Sequence, residues 1–179
     1  MPRQIILVTG PARSGKSEWA ECLATQSGKS VVYVATSQVD PADREWQARI
    51  ETHCLRRPSD WTTLHVPIEL STTLQASSPA DCLLVDSLGT WLANLLEDDE
   101  ATWQETLRVL LQSLIDASAD VILVAEEAGW GVVPAYPIGR TFRDRLGMLT
   151  RQVGAIASPV YLVTGGHALN LSQIGTPLP

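Results

Sequence analysis

Residues 10–17 read Gly-Pro-Ala-Arg-Ser-Gly-Lys-Ser, and this stretch decides which fold the chain can adopt. An apolar run, residues 5–8, precedes it, and an amphipathic stretch begins after it near Glu18. The pattern G-x-x-x-x-G-K-[ST] between a strand and a helix is that of a phosphate-binding P-loop. The sequence therefore predicts a strand, a loop and a helix that together bind a nucleoside triphosphate.

The residue types of this stretch explain how it would hold phosphates. Gly10 and Gly15 allow the backbone to wrap closely around an anion, so that successive N–H groups point at phosphate oxygens. Lys16 reaches the outer phosphates as a point charge, and the Ser17 hydroxyl can hold Mg²⁺. The alternative is a glycine-rich turn with a chance Lys-Ser pair, and the flanking strand and helix disfavour it.

Composition limits the class of protein. A chain of 179 residues with 45% hydrophobic and 18% charged residues is expected to form a single α/β domain over residues 1–179. Its net charge of −7 argues against non-specific nucleic-acid binding. No apolar run approaches the roughly 18 residues of a membrane span, and no signal peptide is visible. Three scattered cysteines, Cys22, Cys54 and Cys82, are typical of reduced thiols, so we expect a cytoplasmic protein.

Apolar runs alternate with helical patterns along the whole chain, which predicts a mostly parallel sheet with helices on both faces. Residues 97–100 are expected to form a solvated turn, and the tail after Gly165 is weakly patterned. The irregular stretch 126–139 has the length of a functional loop. Strands are predicted at 5–8, 31–35, 61–66, 82–85, 121–124 and 160–163, and helices at 15–26, 40–55, 68–76, 88–96, 102–117 and from 138 or 141 to 156.

Asp86 follows the apolar run 82–85 and is a second candidate residue of the phosphate site. In P-loop proteins a carboxylate at the end of a different strand binds the Mg²⁺ shell. An Asp after a strand is often a simple helix cap, but the P-loop favours the Mg²⁺ role here.

Residues 40–55 carry the less ordinary feature. Glu45, Arg49 and His53 recur every four residues and so share one side of the predicted helix, and Arg56 and Arg57 follow closely. A neutral histidine among arginines could attack phosphorus while the arginines hold the triphosphate. The alternative is a histidine that simply favours the helix C-terminus.

Three arginines, Arg140, Arg143 and Arg145, follow the irregular stretch. They could form a lid that closes on phosphates. They could equally belong to a solvated helix face with Asp144 paired locally.

Taken together, these motifs resemble the bifunctional adenosylcobinamide kinase / adenosylcobinamide-phosphate guanylyltransferase family of cobalamin biosynthesis over nearly the whole chain. The matching stretches are Gly10 to Ser17, Tyr33-Val34-Ala35-Thr36-Ser37, Glu45-x-x-x-Arg49-Ile50-x-x-His53, Arg57-Pro58-x-x-Trp61, Leu84-Val85-Asp86 with Trp91-x-x-Asn94, Glu127-x-Gly129-x-Gly131-Val132-Val133-Pro134, and Arg140-x-Phe142-Arg143-Asp144.

The resemblance implies a RecA-like P-loop NTPase fold, a homotrimer and two reactions at one nucleotide site. In one reaction, ATP or GTP phosphorylates the hydroxyl of adenosylcobinamide. In the other, GMP passes from GTP to the resulting phosphate through a GMP-histidine intermediate, giving adenosylcobinamide-GDP. The resemblance makes His53 that histidine. Lys16 is the second expected catalytic residue, since with the P-loop amides and Mg²⁺ it offsets charge on the phosphates, and Ser17 and Asp86 are the expected metal ligands. The resemblance places the nucleotide contacts at Gly10, Pro11, Ala12, Arg13, Ser14, Gly15, Lys16, Ser17, Ala35, Thr36, Ser37, Arg56, Arg57 and Asp86.

Four positions depart from the pattern of that family. His65 stands where many members have Glu, Trp46 where Met is common, and Glu126 where Asn is usual. Residues 135–138, Ala-Tyr-Pro-Ile, replace a more common Glu-Asn pair. These changes leave the expected guanylyl-transfer residues in place and bear on the kinase and corrinoid contacts.

Two other classes of function remain open on the sequence. A small-molecule P-loop kinase would keep Lys16 and Asp86 without needing His53. A regulatory GTPase or ATPase switch is the other, although the chain has no Asn-Lys-x-Asp motif for guanine and no Leu-Ser-Gly-Gly-Gln motif.

Overall fold

A computed structural model describes residues 3–38 and 57–178. These residues form one seven-stranded sheet with the strand order β3-β2-β4-β5-β1-β6-β7, in which every pair is parallel except β6 with β7. The mostly parallel α/β sheet predicted from the sequence is therefore confirmed. The strands are β1 (Ile5–Gly10), β2 (Ser30–Ala35), β3 (Thr62–His65), β4 (Asp81–Asp86), β5 (Asp120–Glu126), β6 (Val160–Thr164) and β7 (His167–Asn170).

Helices cover both faces of the sheet, because the central strands bury side chains on each face. One apolar cluster joins alternate strand residues to α1, and a larger one joins the other strand residues to the helices opposite. The helices are α1 (Lys16–Gln26), α2 (Leu70–Gln75), α3 (Leu88–Ala93), α4 (Glu100–Asp116), α5 (Pro137–Ile156) and α6 (Leu171–Ile174). Within the described residues, no helix is long and apolar enough to cross a membrane.

Two sequence expectations were wrong in detail. The tail after Gly165 was weakly patterned, yet it forms β7, which pairs antiparallel with β6, and then α6. The acidic run 97–100 is only partly a turn, since Glu100 is already the first residue of α4. Asp99 caps that helix by accepting a 2.8 Å hydrogen bond at Oδ1 from the Thr102 N–H, which is the usual role of Asp at this position.

The carboxyl ends of β1, β2, β4 and β5 meet at one edge of the sheet, where parallel α/β proteins bind ligands. Register places Gly10 beside Glu126 and Ala35 beside Asp86 at this edge. Strand β5 lies between β1 and β4, so it separates the P-loop strand from the strand that ends in Asp86. The fold thus gathers three sequence-predicted segments at one edge.

Candidate nucleotide site

The P-loop connects the carboxyl end of β1 to the first residue of α1, Lys16. Gly15 caps the helix with φ of 91°, a left-handed conformation that glycine adopts without steric cost. Arg13 also has a positive φ, 58°, a backbone conformation that residues with a Cβ atom adopt only at some energetic cost. The loop closes through a 3.3 Å hydrogen bond from the Ser14 N–H to the Pro11 carbonyl. The predicted strand-loop-helix unit is therefore present.

Gly10 is required by the close approach of a neighbouring strand. A Cβ at this position would collide with the Val163 carbonyl oxygen of β6 and would lie 2.9 Å from the Ser14 hydroxyl oxygen. A larger residue would push the first turn of the P-loop away from β6.

Two polar side chains of the P-loop have weak partners or none among the described residues. Lys16 is only 9% exposed, and its Nζ donates a long hydrogen bond of 3.3 Å to the Pro11 carbonyl. The buried Ser14 hydroxyl has no hydrogen-bond partner within residues 3–38 and 57–178. Buried polar groups normally have partners, and a buried cation beside an unpaired hydroxyl and a helix N-terminus suits an anion.

Asp86 ends β4 and is held from the side by Tyr33 of β2. The buried Tyr33 hydroxyl donates a 2.8 Å hydrogen bond to Asp86 Oδ2. Burial, followed by the nearby Asp86 charge, raises the pKa of the Tyr33 phenol, which therefore stays a proton donor. Asp86 Oδ1 accepts no hydrogen bond from the described residues, so that oxygen is left for another ligand.

The donors at this edge fit Mg²⁺. The described residues contain no group of three or more His, Cys, Asp or Glu side chains that could hold a metal ion. Mg²⁺ usually binds one or two protein oxygens, together with waters and substrate phosphates. A free oxygen of Asp86 and the Ser17 hydroxyl in the first turn of α1 are donors of that kind.

Arg57 reaches the same place from the other side of Tyr33. Its guanidinium carbon lies 3.3 Å from the centre of the Tyr33 ring, and its Nη1 donates a 3.4 Å hydrogen bond to the Thr63 hydroxyl. Such stacking of a cation on an aromatic face is attractive. Arg57, Tyr33 and Asp86 thus form a connected series at the edge of the sheet.

The segment after β2 is held mainly by internal hydrogen bonds. Thr36 is fully buried; its hydroxyl donates a 2.7 Å hydrogen bond to the Ser87 carbonyl and accepts one of 2.9 Å from the Ser87 N–H. The Asn94 side-chain amide donates a 2.8 Å hydrogen bond to the Thr36 carbonyl. Ala35 and Ser37, on either side, are partly exposed. In this structure Thr36 fixes the loop after Asp86, and its predicted contact with a nucleotide stays a prediction.

Two adjacent acidic residues, Glu126 and Glu127, lie at the carboxyl end of β5 and had no predicted role. Glu126 accepts a 2.5 Å hydrogen bond at Oε1 from the Ser87 hydroxyl and one of 3.0 Å at Oε2 from the Gly89 N–H. The Glu127 N–H donates a 2.9 Å hydrogen bond to the Gly10 carbonyl. Asp86 was proposed because it directly follows a buried apolar run. Glu126 and Glu127 also follow such a run, so the same pattern would have identified them as candidates.

The three arginines of α5 have different surroundings. Arg145 is buried against Trp103 and donates a 2.9 Å hydrogen bond from Nη2 to the Asp98 carbonyl. Arg140 donates hydrogen bonds to two carbonyls of the preceding loop. Arg143 lines a cavity beside Glu127 and lies 3.7 Å from Asp144. Of the three, Arg143 is therefore the one that lines the cavity beside Glu127, whereas Arg145 is held inside the fold.

The predicted helix 40–55, with Glu45, Trp46, Arg49 and His53, lies outside the described residues, and so does Arg56. His65 is exposed at the end of β3, in register with Ala35.

Residues 6–171 match the family model described as cobinamide kinase / cobinamide phosphate guanyltransferase. The chain is 40% identical over 174 residues to the bifunctional adenosylcobalamin biosynthesis protein CobP of Pseudomonas aeruginosa, covering 96% of this chain and 98% of that one. It is 39% identical over 182 residues to the bifunctional adenosylcobalamin biosynthesis protein CobU of Escherichia coli, covering 93% and 99%.

Solved structures show the fold alone. An ATP synthase subunit from Nanoarcheaum equitans matches with 12% identity and a TM-score of 0.52, over 97% of this chain and 52% of that one. A protein from Pyrococcus horikoshii matches with 8% identity and a TM-score of 0.56, over 98% and 91%. The likeness to an ATP synthase subunit agrees with the predicted RecA-like P-loop fold.

Proposed function

Because this chain belongs to the cobinamide kinase / cobinamide phosphate guanyltransferase family, we propose that it catalyses two consecutive reactions of adenosylcobalamin biosynthesis. In the first, the hydroxyl oxygen of adenosylcobinamide bonds to the γ-phosphorus of ATP or GTP, and the nucleoside diphosphate leaves. In the second, GMP is transferred from GTP to the new phosphate, which gives adenosylcobinamide-GDP. Both reactions use the nucleotide site at the carboxyl edge of the sheet.

The single observation that carries this proposal is that the P-loop holds a buried cation and a buried hydroxyl whose hydrogen-bonding capacity is largely unused. Lys16 is buried with a long hydrogen bond to the Pro11 carbonyl, and the nearby Ser14 hydroxyl has no partner in the part of the chain that the structure describes. Phosphate oxygens would satisfy both groups, together with the N–H groups at the start of α1. Residues 10–17 are therefore the proposed phosphate cradle, with Lys16 offsetting the charge that develops on the transferred phosphate.

Ser17 and Asp86 are the proposed ligands of Mg²⁺. When bound, the ion would neutralise charge on the phosphates and orient them for attack. Tyr33 keeps Asp86 Oδ2 occupied, so Oδ1 is the oxygen available for this purpose. Ala35, Thr36, Ser37, Arg56 and Arg57 complete the proposed nucleotide contacts, and of these Arg57 already lies against Tyr33.

His53 is the proposed carrier of GMP. An imidazole nitrogen bonds to the α-phosphorus while the bond from that phosphorus to pyrophosphate breaks. The phosphate of the acceptor then attacks the same phosphorus and displaces the imidazole. His53 stands four residues before Arg57 in the sequence, and Arg57 is fixed on the Tyr33 ring next to Asp86. The short connection supports an imidazole that can reach the nucleotide.

Labelling with GTP carrying ³²P at the α-phosphorus tests this step. After incubation with Mg²⁺ and denaturation, the protein should carry acid-labile, base-stable label, as expected of a phosphorus–nitrogen bond. His53→Ala should lose the label and keep phosphorylation of the acceptor. His167→Ala is the matched control, because His167 is exposed as the first residue of the edge strand β7, and it should label normally.

The same experiment separates the competing functions. A plain kinase would phosphorylate the hydroxyl without ever retaining GMP. A regulatory switch would hydrolyse GTP slowly, without label and without a phosphorylated corrinoid. Retention of label in His53→Ala would place the nucleophile elsewhere and contradict the proposed role of His53.

We propose that the enzyme is cytoplasmic, as its scattered cysteines indicate, and that it forms a homotrimer, as the family resemblance implies. The loop before α5 supports an interface between copies, since Trp130, Val132 and Tyr136 are 62%, 91% and 77% exposed. Exposed apolar side chains in a contiguous stretch commonly mark protein contacts. Sedimentation equilibrium should give three times the chain mass of 19.4 kDa; a monomer at micromolar concentration would refute the trimer.

A further inference from the structure

Glu127 follows the strand that separates the two halves of the nucleotide site. Strand β5 lies between β1, which leads into the P-loop, and β4, which ends in Asp86. The Glu127 N–H is hydrogen-bonded at 2.9 Å to the carbonyl of Gly10, the first residue of the P-loop. Its backbone is thus fixed directly beside the phosphate cradle.

The carboxylates of the two adjacent glutamates differ in what they contact. Glu126 receives hydrogen bonds from the Ser87 hydroxyl and the Gly89 N–H, so both of its oxygens are engaged. Glu127 makes no side-chain hydrogen bond or ion pair within residues 3–38 and 57–178 and is partly buried. A partly buried carboxylate without a partner is costly to maintain, and such groups are frequent where proton transfer takes place.

A cavity of about 290 Å³ lies against Glu127. The segment 126–129 lines it together with residues of α5, among them Arg143, Asp144, Leu146 and Met148. Pockets for whole drug-sized ligands are about 300–1,000 Å³, so this cavity suits the end of a larger molecule. Asp144 lies 3.7 Å from Arg143 and Glu126 is hydrogen-bonded, so Glu127 is the lining carboxylate left without a partner among the described residues. A free carboxylate beside apolar side chains suits a short aliphatic group that bears a hydroxyl.

We propose that Glu127 is the general base of the phosphoryl-transfer reaction and that this cavity receives the hydroxyl end of the acceptor. The inference rests on the proposed kinase function. The Glu127 carboxylate takes the proton from the acceptor hydroxyl as its oxygen bonds to the γ-phosphorus. The bond from that phosphorus to the nucleoside diphosphate breaks, and the diphosphate leaves with the bonding electrons.

Glu127 has no task in the attack of His53 on GTP, because the nucleophile there is an imidazole nitrogen that already has a lone pair. The two reactions should therefore respond differently to the loss of this carboxylate. That difference provides the test.

Glu127→Gln keeps the shape of the side chain and removes its basicity. It should lower kcat for transfer of ³²P from γ-labelled ATP to adenosylcobinamide by about 10²- to 10³-fold, within the usual range for a general base. KM for ATP should stay within about threefold, and labelling by α-labelled GTP should match the wild type. Glu105→Gln, which removes the same charge from an exposed site on α4, is the control and should leave both reactions unchanged.

Two results would overturn the proposal. Glu127→Gln with kinase kcat within about threefold of the wild type would show that no base acts at this position. Equal loss of kinase activity and GMP labelling would show that Glu127 supports the fold or the nucleotide instead. A wild-type protein inactive in both assays would refute the proposed function itself, so that failure is distinguishable.

Discussion

The Tyr33 hydroxyl donates a 2.8 Å hydrogen bond to Asp86 Oδ2 across the neighbouring strands β2 and β4. The same Tyr33 ring carries the Arg57 guanidinium on its face, with 3.3 Å between the guanidinium carbon and the ring centre. One buried aromatic side chain therefore sets the orientation of a proposed metal ligand and of a proposed nucleotide contact. Groups that orient metal ligands are commonly as important for metal affinity as the ligands themselves.

Tyr33→Phe should weaken the use of Mg²⁺ while leaving the fold intact. The substitution removes one hydrogen bond to a carboxylate, and such a bond contributes about 1.5 kcal/mol, or roughly tenfold in an equilibrium constant. We expect the Mg²⁺ concentration for half-maximal activity to rise about tenfold, with nucleotide binding in the absence of Mg²⁺ within about twofold. Tyr161→Phe, which keeps the ring that packs against Trp19, is the control. An unchanged Mg²⁺ requirement would contradict the role of Tyr33.

When the pH is lowered, kinase activity should be lost at a higher pH than it would be if the general base were a glutamate with an ordinary pKa. Burial raises the pKa of the Glu127 carboxyl above its usual value, and a general base acts only when deprotonated. The charged groups that share its cavity are Glu126, the last residue of β5, and Arg143 and Asp144 of α5.

The measurement is kcat/KM for phosphoryl transfer against pH, in the wild type and in Glu127→Gln. The acid limb should be present in the first and absent in the second. The same raised pKa means that ionising Glu127 lowers the stability of the fold as pH rises through the folded-state pKa. Glu127→Gln should therefore be at least as resistant to urea at neutral pH; a less stable variant would disagree with burial as the cause.

Arg145 and Arg143 should behave oppositely when replaced by Gln. Arg145 packs over Trp103 at 5.3 Å and binds the Asp98 carbonyl, so Arg145→Gln should lower the free energy of unfolding by about 2 kcal/mol. Among the described residues, the ion pair of Arg143 is a weak one with Asp144 at 3.7 Å, so Arg143→Gln should change stability by less than about 0.5 kcal/mol. Urea unfolding measures both effects, as shifts of the transition midpoint with an unchanged dependence of the unfolding free energy on urea concentration. Equal losses of stability would mean that both arginines are structural.

Local patterns predicted the centre of the sheet well. Buried parallel strands are continuous apolar runs, so β1, β2, β4 and β5 could be found from the sequence, and the P-loop between β1 and α1 with them. The edge strand β7 was harder to predict from the sequence. Strand β7 has only four residues and half-exposed side chains, and its position depends on pairing with β6 rather than on its own composition.

The site was predictable only where one segment carries the signal. Asp86 could be proposed because it directly follows an apolar run. The contact from Tyr33 to Asp86 joins residues 53 positions apart and depends on β2 and β4 being neighbours, which sequence order does not give. Arg145 appeared to belong with Arg140 and Arg143 in the sequence, but the helix turns its side chain towards Trp103.

Glu126 links the segments that follow β4 and β5, through the Ser87 hydroxyl and the Gly89 N–H. Asp86, the proposed Mg²⁺ ligand, directly precedes Ser87. Glu127, the proposed general base, directly follows Glu126. Both residues are therefore next to an end of the hydrogen bond between Ser87 and Glu126. A mutation that moved one of these loops would therefore move the other. Glu126 therefore acts as a brace between the two segments, although it is assigned no part in either reaction.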